Sequence, residues 1–148
     1  MKKLFVYYSN TGNGDLVADK LKEKGYNIRK VIPKKDLPKS FFGKIMTGGF
    51  LASIGAKSKL KDFDTNIDEY DEVVIGSPIW NARLSCPINT VLNKLDLSNK
   101  KVSFVFYSGS GTSPEATKKV NELFKGVMII DLQEPLKNEK ELDKIKEL

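Results

Sequence analysis

A short polar segment near the start of the chain combines hydroxyl groups and glycines at close spacing. It reads Ser-Asn-Thr-Gly-Asn-Gly over residues 9–14 and follows the apolar run Leu-Phe-Val-Tyr-Tyr at residues 4–8. The hydroxyls of Ser9 and Thr11 can donate hydrogen bonds, and the two glycines let the backbone approach an oxyanion. An apolar helical stripe begins at Leu16, so the free N–H groups and positive dipole end of a helix are expected here. The segment predicts a binding site for a phosphate monoester.

Two more polar segments, each expected to form a loop, follow apolar runs later in the chain. Residues 77–81 read Ser-Pro-Ile-Trp-Asn, and residues 108–111 read Ser-Gly-Ser-Gly. Taken alone, the single tryptophan, Trp80, would more often fold onto the core. In combination with a phosphate site, we expect its ring to stack on a flat ligand. The glycines of the later segment would let backbone N–H groups reach the polar rim of an aromatic heterocycle.

The three segments need a scaffold that brings them together. Five strand-like stretches alternate with helical patterns, which predicts a doubly wound, five-stranded parallel sheet in three α/β/α layers and one domain spanning residues 1–148. Ligands of such sheets bind at the carboxyl ends of the strands, so the three segments should face one crevice. The expected strands are 4–8, 27–32, 72–77, 102–107 and 127–130, and the expected helices are 15–24, 41–46, 87–95, one that opens at Ser113-Pro114, and 138–147.

The use of histidine and cysteine limits the possible chemistry. The chain has no histidine, which removes the commonest metal ligand and general base, so we expect no metal site and no catalytic residue. The single cysteine, Cys86, is either a reactive thiol at a helix start or a small packing residue, and we favour packing. No apolar run approaches the roughly 18 residues of a membrane span, and we expect a cytoplasmic protein with no membrane partner.

Positive charge is concentrated in one segment. The net charge is +6, and residues 30–61 contain eight lysines and one acidic residue, so the rest of the chain is nearly neutral. Such a segment is either a solvated face or a contact surface for an acidic partner. It carries no recognisable nucleic-acid motif, which argues against nucleic acid as that partner.

The three motifs together resemble those of the flavodoxin family over essentially the whole chain. The resemblance rests on Tyr-Tyr-Ser-Asn-Thr-Gly-Asn at 7–13, Ile-Gly-Ser-Pro-Ile-Trp at 75–80 and Tyr-Ser-Gly-Ser-Gly at 107–111. It implies a flavodoxin-like fold that binds flavin mononucleotide (FMN), with the phosphate on the first motif and the isoalloxazine ring bordered by the other two. The implied cofactor-binding residues are Ser9, Asn10, Thr11, Gly12, Asn13, Gly14, Ser77, Pro78, Ile79, Trp80, Asn81, Ser108, Gly109, Ser110 and Gly111.

The chain departs from the family pattern at the phosphate and at the ring. Gly14 stands where the family loop has a hydroxyl, which should weaken phosphate binding by about 0.5–1.5 kcal/mol. Asp15 follows in the first helical turn, where it would repel a phosphate, so we expect its side chain to point away. The segment 108–111 has no aromatic residue, which leaves Tyr107 as a candidate for the second stacking wall.

The resemblance implies an electron-transfer protein in which bound FMN carries the electrons. Its redox partners would be acidic proteins that contact the basic segment Lys30–Lys61. The alternative is a small FMN-dependent reductase that oxidises NAD(P)H and reduces a quinone or a flavin, with the apolar residues of 41–50 as a roof over the cofactor. A third hypothesis is a binding module of the same fold that holds no flavin.

Overall fold

A parallel β-sheet lies at the centre of the computed structural model, which describes residues 1–35 and 57–148. Its strands are β1 (Lys3–Tyr7), β2 (Asn27–Lys30), β3 (Glu72–Trp80), β4 (Arg83–Leu84), β5 (Lys101–Ser108) and β6 (Met128–Gln133). All except β4 run parallel, in the order β2-β1-β3-β5-β6. This order confirms the predicted doubly wound sheet of five parallel strands and places β2 at an edge.

The helical segments follow the predicted positions closely. They are α1 (Asn13–Glu23), α2 (Cys86–Lys94), α3 (Pro114–Leu123) and a terminal 3-10 helix (Glu139–Glu147). Gly25 follows α1 with a φ of 88°, the left-handed conformation expected of a helix end. None of the helices in the described parts of the chain is long and apolar enough to cross a bilayer. The short helix expected at 41–46 lies outside the described residues.

Apolar side chains bury both faces of the sheet. On one face, α2 and α3 pack through residues such as Ile88 and Val120. On the other, α1 and the terminal 3-10 helix pack through Val17 and Ile145. Successive residues of β1 point to opposite faces, which is why its run is apolar throughout. The predicted three-layer α/β/α arrangement is therefore correct.

The segment 77–81, expected as a loop, is mostly strand. The strand β3 continues to Trp80 and then turns back into β4, with Trp80 opposite Arg83. The two turn residues, Asn81 and Ala82, have φ values of 50° and 62°, as a two-residue hairpin turn requires. The expectation of a loop was wrong because Pro78 looks like a strand breaker, whereas it lies in register with Tyr107 of β5.

A buried carboxylate joins three strands near their amino-terminal ends, on the opposite side of the sheet from the three motifs. The strand register places Glu72 between Lys3 and Lys101. Its side chain accepts hydrogen bonds from the Tyr26 hydroxyl and from Lys101 Nζ. Burial alone would raise the pKa of Glu72, but these hydrogen bonds and the charges of the two lysines outweigh burial and lower the pKa. We expect this network to contribute to stability, and the sequence pattern does not reveal it.

Candidate functional site

The residues 9–14 connect β1 to α1, as predicted, and fold around the hydroxyl of Ser9. Ser9 Oγ accepts hydrogen bonds from the backbone N–H groups of Gly12 and Gly14, each at 3.1 Å. Gly12 occupies the position before α1 with a φ of 101°, which is accessible to glycine but costly for other residues. We call this segment the phosphate loop, because it presents hydroxyls and backbone donors at the start of a helix.

Two asparagines of the phosphate loop differ in how their side chains are used. The side-chain nitrogen of Asn10 is buried and has no hydrogen-bond partner within the described residues. Asn13 is engaged at both ends, since its Oδ1 accepts from the Leu136 N–H at 3.0 Å and its Nδ2 donates to Thr11 Oγ1 at 3.3 Å. A buried donor needs an acceptor, so the Asn10 amide is a candidate donor to a ligand, and that contact stays a prediction.

Gly14 is confined by a tyrosine from the core. A Cβ atom at this position would lie 2.5 Å from Tyr107 Oη and 2.9 Å from Ser9 Cβ, closer than real Cβ contacts come. Tyr107 is only 3% exposed, and its hydroxyl donates to the backbone oxygen of Tyr8. Tyr107 is therefore not a stacking wall, because its ring lies beneath the phosphate loop in the core. The same ring explains why no hydroxyl-bearing side chain stands at Gly14.

Asp15 bonds to groups at the β2 side of the phosphate loop. Its Oδ1 accepts hydrogen bonds from the Tyr7 hydroxyl and from Lys30 Nζ, each at 2.7 Å. Burial and then the hydrogen bond to Asp15 raise the pKa of Tyr7 above its ordinary range. The carboxylate is thus held by two donors beside the loop and paired with one positive charge.

The hairpin of β3 and β4 carries the second predicted segment. Ser77 is fully buried, and its Oγ contacts Ser85 Oγ at 3.0 Å and accepts from the Ser85 N–H at 3.2 Å. Its hydroxyl therefore holds the hairpin to the residue that follows β4. The predicted contact of Ser77 with a flat ligand would then involve its backbone, and that contact stays a prediction. Trp80 is partly exposed, packs against the core cluster and meets the Tyr8 ring edge-on at 5.9 Å between centroids. Pro78 and Ile79 lie between them and are also partly exposed.

The third segment, 108–111, is anchored by β6. Ser108 Oγ accepts from the Gly111 N–H at 2.9 Å, and the Gln133 side chain donates to the Gly109 oxygen at 3.1 Å. Gly111 has a φ of 71°, and a Cβ there would lie 3.0 Å from Gln133 Cβ. Ser110 bonds to Thr112 through its hydroxyl. The loop thus has a defined shape before any ligand is considered.

The fold brings these three segments to one edge of the sheet. They lie at the carboxyl ends of β1, β3 and β5, and β3 is the neighbour of the other two strands. The Ala116 N–H donates to the Ala82 oxygen at 2.9 Å, which links the hairpin to the start of α3 beyond the third segment. All the predicted cofactor-binding residues lie in these segments, and their contacts with a ligand stay predictions.

The supporting roles of several residues have no signal in the sequence pattern. Tyr107, Gln133 and Leu136 shape the loops through contacts between distant parts of the chain. Lys30 could be found only from the β1 and β2 register, in which it lies opposite Tyr7. Burial raises the pKa of the Cys86 thiol, which supports its interpretation as a packing residue. No cluster of metal-ligating side chains occurs within residues 1–35 and 57–148.

Comparisons with known proteins agree with this geometry. The flavodoxin family pattern matches residues 2–145 of the chain. A Bacteroides eggerthii protein described as a flavoprotein has a similar structure, with a TM-score of 0.76, 22% identity and coverage of 98% of each chain. A Lactobacillus acidophilus flavoprotein, solved in complex with FMN, has a TM-score of 0.69 at 22% identity, covering 94% of this chain and 97% of its own.

The comparison with curated proteins yields no match. The solved structures, at these identities, establish a shared fold. The family pattern covers nearly all of the chain, including the phosphate loop, the hairpin and the third segment. The chain belongs to the flavodoxin family.

Proposed function

We propose that this protein binds FMN and acts as an electron-transfer flavoprotein. The observation that carries the proposal is the meeting of a phosphate loop, a partly exposed tryptophan and a glycine-rich loop at the carboxyl edge of β1, β3 and β5. Flavodoxin-family membership and the FMN complex of the similar Lactobacillus acidophilus protein support it. A cytoplasmic location, expected from the sequence, is part of the same proposal.

The residues present fit a phosphate ester. The buried nitrogen of Asn10 lacks an acceptor among the described residues, and the loop lies at the start of α1, where backbone N–H groups have no partner within the helix. The side chains here are uncharged, so the phosphate would be held by hydrogen bonds and by the α1 dipole. FMN, once bound, supplies the electron chemistry, and the chain supplies binding and orientation.

The ring would be held by the other two segments. Trp80 offers a face or an edge to the ring, and its own position is fixed by Tyr8 and by the hairpin. The backbone N–H groups of Gly109 and Ser110 would face the polar rim of the ring, because the Gly111 N–H donates to Ser108 Oγ. The hairpin turn is hydrogen-bonded to α3, and the third loop leads directly into α3. The groups that would contact the ring are therefore held in place before the ring binds.

Cofactor binding is the first test of the proposal. Purified protein should bind FMN in a 1:1 complex with a visible flavin spectrum, since flavin absorbs where the polypeptide does not. Titration of flavin-free protein with FMN, followed by quenching of flavin fluorescence, measures the dissociation constant. Protein that stays colourless and does not quench FMN would contradict the proposal and revive a binding module without flavin.

Steady-state turnover with a nicotinamide distinguishes an electron carrier from a self-sufficient reductase. An electron carrier should show no steady-state oxidation of NADH or NADPH by the FMN-loaded protein with a quinone or a flavin as acceptor. Sustained turnover with either nicotinamide would replace the electron-carrier proposal by the reductase. The apolar residues expected to roof the flavin in that case, within 41–50, lie outside the described residues.

We propose acidic proteins as the redox partners, on a surface that we call the lysine stem, residues 32–35 and 57–61. Its two segments are joined by a Pro33–Leu60 bridge, with the Lys34 N–H donating to the Lys59 oxygen at 2.8 Å. The stem continues from β2, and its second segment is held to α2 because Thr90 Oγ1 donates to the Ser58 oxygen at 2.6 Å. It therefore adjoins the edge that carries the candidate site.

The lysines of the stem are available to a partner. Their side chains are exposed, and none makes an ion pair with a described carboxylate. A group of positive charges without an ion pair among the described residues, next to the proposed redox site, attracts an acidic surface and speeds its encounter. These lysines are Lys34, Lys35, Lys57, Lys59 and Lys61.

Oxidation by small charged reagents tests this surface. Reduced FMN-loaded protein passes one electron to each ferricyanide, and we expect the rate to fall with added salt, whereas the cationic oxidant hexaammineruthenium(III) should show the opposite trend. The double variant K59Q/K61Q should lose about two- to fivefold of the ferricyanide rate at low salt. The control K94Q/K125Q removes equal charge at the C-terminal end of α2 and just beyond the C-terminal end of α3. Equal losses in both double variants would contradict the proposal.

A further inference from the structure

We propose that Lys30 tunes the affinity of the phosphate loop for FMN by neutralising the carboxylate of Asp15. This inference rests on the proposed function, since it concerns the phosphate of the same cofactor. Lys30 ends β2 and lies opposite Tyr7 in the strand register. Its Nζ lies 2.7 Å from Asp15 Oδ1 and 5.8 Å from the centroid of the Tyr7 ring. The lysine therefore reaches across β1 to the first turn of α1.

Asp15 creates a conflict at this position. An acidic residue in the first turn stabilises a helix through its dipole, but a bound phosphate needs the same positive end. Asp15 directly follows Gly14, whose N–H belongs to the phosphate loop. Without a counter-charge, the carboxylate would repel a phosphate dianion and weaken its binding. Lys30 removes this repulsion and lets the acidic residue remain in the helix.

The effect should appear in ligand affinity far more than in folding. Both side chains are more than one third exposed, at 43% and 44%, and such surface pairs add little to stability. The Tyr7 hydroxyl also bonds to Asp15 Oδ1, so the carboxylate keeps its orientation when the lysine is changed. The Asp15 carboxylate still acts on a doubly charged phosphate bound at the start of α1, most strongly at low ionic strength.

A double-mutant cycle with two flavins separates this role from a structural one. FMN and riboflavin share the ring, but only FMN carries the phosphate. The variants K30M, D15N and K30M/D15N, made in the full chain and stripped of flavin, are titrated with each flavin at low salt. K20M is the matched control, because Lys20 pairs with Glu23 at 3.4 Å on the same helix, near its other end.

We expect K30M to raise the FMN dissociation constant about three- to tenfold and K30M/D15N to return it to within about twofold of the wild type. Riboflavin affinity should stay unchanged in all variants, and K20M should bind both flavins normally. Equal weakening of FMN and riboflavin in K30M, or an unchanged FMN constant, would overturn the inference. Failure of the wild type to bind FMN would instead contradict the proposed function itself.

Discussion

Replacing Glu72 by alanine is expected to lower the free energy of unfolding by about 2–4 kcal/mol. The residue is 1% exposed and accepts hydrogen bonds from the buried Tyr26 and from Lys101. Its removal leaves the Tyr26 hydroxyl without this acceptor and opens a cavity between β1, β3 and β5. Urea unfolding followed by far-ultraviolet circular dichroism measures the loss. FMN binding should survive in the folded fraction, because the network lies at the edge opposite the phosphate loop.

The control for this substitution is an exposed carboxylate at the same edge. Glu69 pairs with Lys2 at the surface, where both side chains are more than half exposed. E69A should therefore leave the unfolding free energy close to that of the wild type. Equal losses in E69A and E72A would contradict the assignment of stability to the buried network.

Low pH should destabilise the folded protein in part through Glu72. The pKa of Glu72 is lowered in the folded protein, so its contribution is complete above the ordinary glutamate pKa of about 4.3. That contribution is lost as the pH falls through the lower folded-state pKa. E72Q keeps the shape but cannot titrate, so its unfolding free energy should vary less between about pH 5 and pH 2. An identical pH profile in E72Q would show that other carboxylates set the acid dependence.

Restoring a hydroxyl at position 14 is expected to damage the site. The family resemblance alone would favour G14S, because it adds a donor to the phosphate loop. The structure predicts the opposite, since a Cβ would lie 2.5 Å from Tyr107 Oη and 2.9 Å from Ser9 Cβ. We expect the FMN dissociation constant to rise at least about tenfold and the unfolding free energy to fall by about 1–3 kcal/mol. Fluorescence titration and urea unfolding measure the two effects.

Two further variants identify the cause. G14S/Y107F removes the nearest atom and should recover part of the lost stability relative to G14S. G109A adds a Cβ that would meet no atom within 4 Å apart from its own chain neighbours, so its unfolding free energy should stay within about 0.5 kcal/mol of the wild type. Tighter FMN binding by G14S than by the wild type would refute the steric argument.

The strands and helices were predictable where burial imposes a pattern. The apolar runs of β1, β3 and β5 are covered on both faces, and glycine or proline marks several helix ends. The strand β4 was not predicted, because two residues carry no periodicity. The end of β3 was misjudged because Pro78 and Trp80 have no pattern of their own, and their pairing with β5 and β4 decides their structure.

The three site segments were predictable from residue types, but their anchors were not. Hydroxyls and glycines after apolar runs are visible in the sequence, since they are local. The bond between Asn13 and Leu136 joins residues 123 positions apart, and the packing of Tyr107 on Gly14 is likewise a tertiary contact. Such contacts determine which donors remain for a ligand. The engaged Asn13 and the buried, unpartnered Asn10 have the same side chain and opposite availability.

The left-handed backbone of Ala82 has an evolutionary consequence. An alanine at a φ of 62° carries a conformational penalty of about 1–2 kcal/mol, which glycine would avoid. The hydrogen bond from Ala116 N–H to its oxygen holds this conformation in place. The turn beside Trp80 is thus conformationally strained, and it lies at the edge of the sheet proposed to hold the cofactor. Selection for thermal stability alone would be expected to replace Ala82 by glycine. That replacement would make the hairpin that carries Trp80 less stiff.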